Sequence, residues 1–162
     1  MRLQIKNKFL SWGGASKVTD VNKKEVYKVK GKVFTFTKKK KMYDMEGNLL
    51  YVIRNKYWTV RERKVLIFDA DGELVATVKK DKWDIGHSYD IIDTEDDMSI
   101  DGRFLDPVSY VKKNGKTVAS ITRDIAFTDT FILETEEKNI AFYVALVIAF
   151  DNMKDMLREE KD

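Results

Sequence analysis

The chain has 162 residues, 43% of them hydrophobic, enough for one domain with a substantial core. It contains no cysteine, which excludes disulfides and thiolate metal sites and makes a reducing compartment the expected setting. The net charge of +3 conceals an asymmetry: residues 1–80 hold 20 Lys/Arg against 8 Asp/Glu, and residues 81–162 hold 10 against 19. Such polarity bears on partners and solubility, not on fold.

The opening stretch, MRLQIKNKFLSWGG, lacks the apolar run of a secretory signal, so a cytoplasmic location is expected. From Lys8 the chain repeats itself. Residues 32–55 (KVFTFTKKKKMYDMEGNLLYVIRN) and 56–81 (KYWTVRERKVLIFDADGELVATVKKD) each begin with Lys, aromatics and Thr. Each then carries a charged stretch, Asp-x-x-Gly at Asp44–Gly47 or Asp69–Gly72, and an apolar run ending in a basic residue. Residues 8–31 are a further copy whose turn reads Asn-Lys-Lys. Fainter copies begin at Lys82 and Arg103, and a half-copy begins at Ile125.

Each unit reads as a β-hairpin. Asp-x-x-Gly and Asn114-Gly115 supply a carboxylate cap and the positive φ of a tight reversal, flanked by β-branched and aromatic residues. Six such hairpins predict about twelve strands. Aligning the turns assigns the faces. Val29, Ile53, Val78 and Ile121 share one position and Tyr27, Tyr51, Ala76 and Ala119 another, both expected to face the core. The residues between them, Lys28, Val52, Thr77 and Ser120, are expected outside. An antiparallel sheet of this size loses its edges by closing into a barrel, and at twelve strands the barrel needs filling.

The C-terminal segment supplies the filling. Ile140 to Phe150 are apolar without interruption. As a helix this run spans about 16 Å, too short for a bilayer core of about 30 Å. A helix apolar on all sides is one surrounded by protein. Thr135 is its expected N-cap, with Glu136 and Glu137 in the first turn. The expected organisation is a single domain over 1–162: a barrel to about 135 and a central helix from about 136 to 158.

Repeated hairpins with KVFTFTKKKKMYDMEGNLLYVI, a later GHSYDI and a C-terminal apolar helix resemble the LURP-one-related proteins, a family related to the tubby C-terminal domain and to phospholipid scramblases. The resemblance implies a twelve-stranded antiparallel barrel around a central helix. It also implies a binding role, since association with phosphoinositides or phospholipids is described among those relatives.

Catalytic signals are sparse. His87 is the only histidine, and its neighbours Ser88 and Asp90 alternate faces in a strand, so a surface histidine is the expectation. No Gly-x-Ser-x-Gly, His-Glu-x-x-His, Walker or dinucleotide fingerprint occurs. The chain reads as a non-enzyme that uses no cofactor or metal. DADGE (69–73) has its glycine at the wrong position for a calcium loop and reads as a turn. DTEDD (93–97) reads as a solvated acidic loop.

The basic residues carry the functional expectation. Lys38, Lys39, Lys40 and Lys41, with Arg61, Arg63 and Lys64 one repeat later, form the candidate patch for an anionic membrane surface. The alternative is a soluble scaffold whose basic half meets an acidic protein partner. Nucleic acid ranks lower because the aromatic residues are committed to the core.

Overall fold

The computed structural model describes residues 1–6, 15–31, 37–57, 61–81, 83, 86–103, 106–124, 126 and 130–159. The aromatic openings of the repeat units lie largely outside the described residues. Twelve strands precede one helix: β1 (Arg2–Lys6), β2 (Ala15–Thr19), β3 (Glu25–Gly31), β4 (Lys40–Tyr43), β5 (Leu49–Lys56), β6 (Glu62–Asp69), β7 (Leu74–Asp81), β8 (Ser88–Ile92), β9 (Met98–Asp101), β10 (Val108–Lys113), β11 (Lys116–Arg123), β12 (Thr130–Thr135) and α1 (Ile140–Glu159).

The repeat is visible in the turns. Asp20, Asp44 and Asp69 each donate their backbone N–H to the carbonyl four residues on. The side chain of each accepts from backbone N–H groups inside the same turn. The fourth residue of the turn is left-handed: Gly47 at φ +91° and Gly72 at φ +85°, but Lys23 at φ +63° in the first copy. Glycine meets that conformation without steric cost, whereas Lys23 bears it. Just before each turn the register shifts by a bulge, at Val18/Thr19, Met42/Tyr43 and Ile67/Phe68.

Every strand pairs antiparallel with its sequence neighbours, and β1 pairs with β12 to close the barrel. The twelve strands expected from the hairpin repeat are thus present, and a β1–β12 seam joins the two ends of the series. Leu3 opposes Leu133 and Ile5 opposes Phe131 across that seam, and all four are buried. The side chains expected inside at Val29, Ile53, Val78 and Ile121 are buried, as are Ala76 and Ala119. Tyr27 and Tyr51 are half-buried. Thr77, expected outside, is covered because its hydroxyl donates to Asp93 at 2.6 Å.

The helix occupies the barrel. Residues Tyr143 through Lys154 are buried consecutively, more than three turns of helix, which only enclosure on all faces permits. Full burial of side chains such as Leu146, Ile148 and Phe150 contributes about 1.5–3 kcal/mol each. Phe150 meets Tyr89 edge-on at 5.0 Å, the geometry ring quadrupoles favour. The cap differs from the expectation. Thr135 ends β12, its hydroxyl donating to the Val118 carbonyl and accepting from Glu137 N–H. Asn139 is the N-cap, accepting from Phe142 N–H at 3.3 Å, and the first helical turn holds no acidic residue.

Candidate functional site

Because strand order around the barrel follows the sequence, β2 to β7 form one continuous wall. The basic half of the sequence is thus one side of the molecule. The hairpin turns and the start of α1 share one end of the barrel; the ends of β3, β5 and β7 and the last turn of α1 share the other.

Near that second end the register aligns lysines across the outer wall. Lys17 opposes Lys28, and Lys30 opposes Lys41. Lys56 opposes Lys64, and Lys64 opposes Lys79. Neighbouring strands lie about 4.8 Å apart, so these pairs together span roughly 24 Å from β2 to β7, a belt stepped along the strands because Lys28 opposes Tyr43 and Lys41 opposes Val52. Arg54 joins it with its guanidinium 5.1 Å above the Phe68 ring, and Lys30 lies 5.3 Å above Tyr43. Glu62 is the counter-ion of two members, 2.8 Å from Lys64 and 3.1 Å from Lys79. Hydrogen bonds from those two ammonium groups hold the Glu62 carboxyl below its usual range.

The predicted patch divides between this belt and the interior. Lys39 and Lys41 are exposed, and Lys64 is a belt member. Arg61 is exposed and donates from Nε to Asp81 at 3.2 Å, on the rim. Arg63 is half-buried and donates to the Glu62 carbonyl. Lys38 pairs with Glu159. Burial works against its charge, but Glu159 and Asp155 outweigh that and raise its pKa. Lys40 leaves the patch. It shares the inward phase of Met42, is 7% exposed, and lies 3.9 Å from Asp151 on α1. Burial depresses its pKa and the nearby Asp151 opposes the shift. Beside it Asn152 donates to Asn55 at 3.0 Å and to the Lys38 carbonyl at 3.4 Å.

Sequence reasoning missed Lys17, Arg54, Lys56 and Lys79. The signal was present: Lys30, Arg54 and Lys79 directly follow the core residues Val29, Ile53 and Val78, so alternation turns all three outward.

The other candidates have local partners. Arg103 donates from Nε to His87 Nδ1 at 3.1 Å, which places the histidine against a cation on the surface. The carboxylate of Asp69 is engaged in its turn. Asp96 accepts from Asn114 at 2.8 Å and lies 3.2 Å from Lys113. Among the described residues no helix is long and apolar enough to cross a membrane.

A barrel wrapped on its own C-terminal helix is the architecture the hairpin repeat implied, and the family model for LURP-one-related proteins matches residues 1–151. The chain belongs to the LURP-one-related family. No curated protein matches it. Among solved structures it is similar to an Arabidopsis thaliana protein determined by X-ray crystallography, with TM-score 0.62 and 21% identity over 93% of this chain and 90% of that one. At that identity the likeness establishes the fold alone. The belt is therefore a property of this LURP-one-related chain, read from its own register.

Proposed function

We propose that the protein is a non-catalytic binding module that associates peripherally with anionic phospholipid through the lysine belt on β2–β7. The observation that carries this reading is the set of directly opposed lysine pairs. Like charges facing each other across strands destabilise a sheet; Glu62 offsets this at Lys64 and Lys79 and Glu25 at Lys17, and an anionic surface would offset it along the rest of the belt. Each cation near a charged leaflet contributes about 1 kcal/mol. Trp83 supports the same face: it is 74% exposed and follows β7. Asp81 accepts from the Trp83 backbone N–H and from Arg61. Tryptophan favours the boundary between head groups and acyl chains. The related tubby and scramblase proteins, associated with phospholipid, point the same way.

Co-sedimentation with neutral and anionic vesicles, at low and at physiological salt, tests the proposal. Binding to anionic vesicles alone, retained at physiological salt, is the expected result. Binding lost at physiological salt reduces the belt to generic electrostatics. No binding at either salt overturns the reading in favour of a soluble scaffold with an acidic partner.

A further inference from the structure

The β7–β8 connection leaves the barrel at the belt end and carries Trp83, the most exposed large hydrophobic side chain among the described residues. A single exposed apolar side chain is ordinary. What sets Trp83 apart is how firmly its backbone is tied. Before it, Asp81 accepts the Trp83 N–H at 2.9 Å through one carboxylate oxygen and Arg61 Nε at 3.2 Å through the other. After it, Lys80 donates to the Gly86 and Ser88 carbonyls, both at 2.8 Å, with its ammonium 5.1 Å above the Tyr89 ring. Lys80 shares the inward phase of Ala76 and Val78 and is 8% exposed. A buried ammonium is tolerated only where it is hydrogen-bonded, and two of its bonds go to this connection. The backbone is thus fixed on both sides of Trp83 while the ring stays in water.

Two features select what the ring meets. Tryptophan is apolar with one polar edge, which suits the boundary between head groups and acyl chains. Cations stand close to the same end: Lys56, Lys64 and Lys79 are opposed across β5, β6 and β7, with the single carboxylate of Glu62 between two of them. An anionic leaflet answers both ring and cations. A free anion answers only the cations, and an apolar protein groove only the ring. A backbone fixed in advance also lowers the ordering cost of insertion.

We infer that Trp83 is a preformed membrane anchor that enters the head-group boundary of an anionic leaflet, with Lys80 and Asp81 as its positioning residues. This rests on the membrane reading of the belt and adds a second contribution to it. Attraction between the belt and the leaflet is screened by salt, whereas transfer of the ring out of water is not.

Vesicles of phosphatidylcholine with phosphatidylserine, carrying a nitroxide quencher near the head group, test this. Quenching of tryptophan fluorescence in the parent, lost in Trp83→Ala, is the expected result; Trp12 and Trp58 remain in that variant and serve as its internal control. Trp83→Ala should melt like the parent and bind the vesicles about tenfold or more weakly, by the same factor at low and at physiological salt. Lys56→Glu should instead weaken binding more at low salt. Lys80→Met keeps a stem of similar length without the two carbonyl contacts, and should reduce both quenching and affinity with Trp83 in place. Should that variant not fold, Asp81→Ala gives the same readout from the other side of Trp83. Quenching unchanged in a folded positioning variant overturns the positioning role. Vesicle binding by the parent without quenching, or undiminished in Trp83→Ala, overturns the anchor and leaves the belt reading standing. No vesicle binding by the parent at either salt overturns both.

Discussion

Lys154 is a cation inside a hydrophobic barrel. It is 3% exposed and its ammonium lies 4.3 Å above the Phe150 ring. Burial pushes its pKa down to about 8, the like charge of Arg123 adds to the shift, and Asp151 and Asp106 oppose it. The folded protein thus binds this proton less tightly than the unfolded chain does. Between about pH 8 and the ordinary lysine value, the unfolded state holds more protons, so the contribution of this site to stability rises with pH. Below pH 8 the full cost of the buried charge is present. Lys154→Met, of similar length and without charge, should stabilise the protein by about 1–3 kcal/mol at neutral pH. Urea unfolding at neutral pH and at about pH 9.5 checks the sign, since the gain should shrink at the higher pH. A gain unchanged between the two would mean that Lys154 does not titrate there.

At the scale of elements, the helix enters the barrel through a cap that local sequence misassigned. Asn139→Ala removes the side-chain acceptor for Phe142 N–H and should cost about 1 kcal/mol, while Asn139→Asp should retain most of the stability. Thermal melts of the two variants decide it; equal losses would show that the side-chain oxygen is not the cap. The misreading has a physical cause. Thr135 has the right chemistry for a cap, but its hydroxyl is directed to Val118 on the neighbouring strand, a contact 17 residues away. The hairpins, by contrast, were legible within their own turns: at Asp20, Asp44 and Asp69 a carboxylate stands first and a left-handed residue fourth, glycine in two of these three copies, and the β10–β11 hairpin turns on the left-handed Asn114 and Gly115. The β1–β12 seam carries no turn and joins the two ends of the strand series, so no local signal announces it. Lys40 was hidden differently. In a run of four lysines the charge pattern masks the alternation that puts Lys40 in phase with Met42 and Lys41 out of it.

The whole molecule converts a sequence asymmetry into a spatial one. In a barrel whose strand order follows the chain, the basic first half becomes one wall, with lysines set opposite one another in pairs by the register. Net charge and arrangement can be separated. Lys41 and Lys56 are exposed belt residues; Lys116 and Lys138 are exposed at the turn end. The double variants Lys41→Glu/Lys56→Glu and Lys116→Glu/Lys138→Glu change net charge equally. If the belt docks on anionic phospholipid, only the first should lose vesicle binding at physiological salt. Generic attraction would weaken both alike. Stability provides an independent reading. Lys41 faces Lys30 and Lys56 faces Lys64, so reversal replaces two repulsive cross-strand pairs with attractive ones. The belt variant should therefore be more stable than the parent, by about 0.2–1 kcal/mol per pair. A variant that gains stability while losing membrane association would identify the belt as a surface kept at a cost to the fold. One that loses both would mean that these lysines support the sheet, and that the membrane reading had mistaken structure for function.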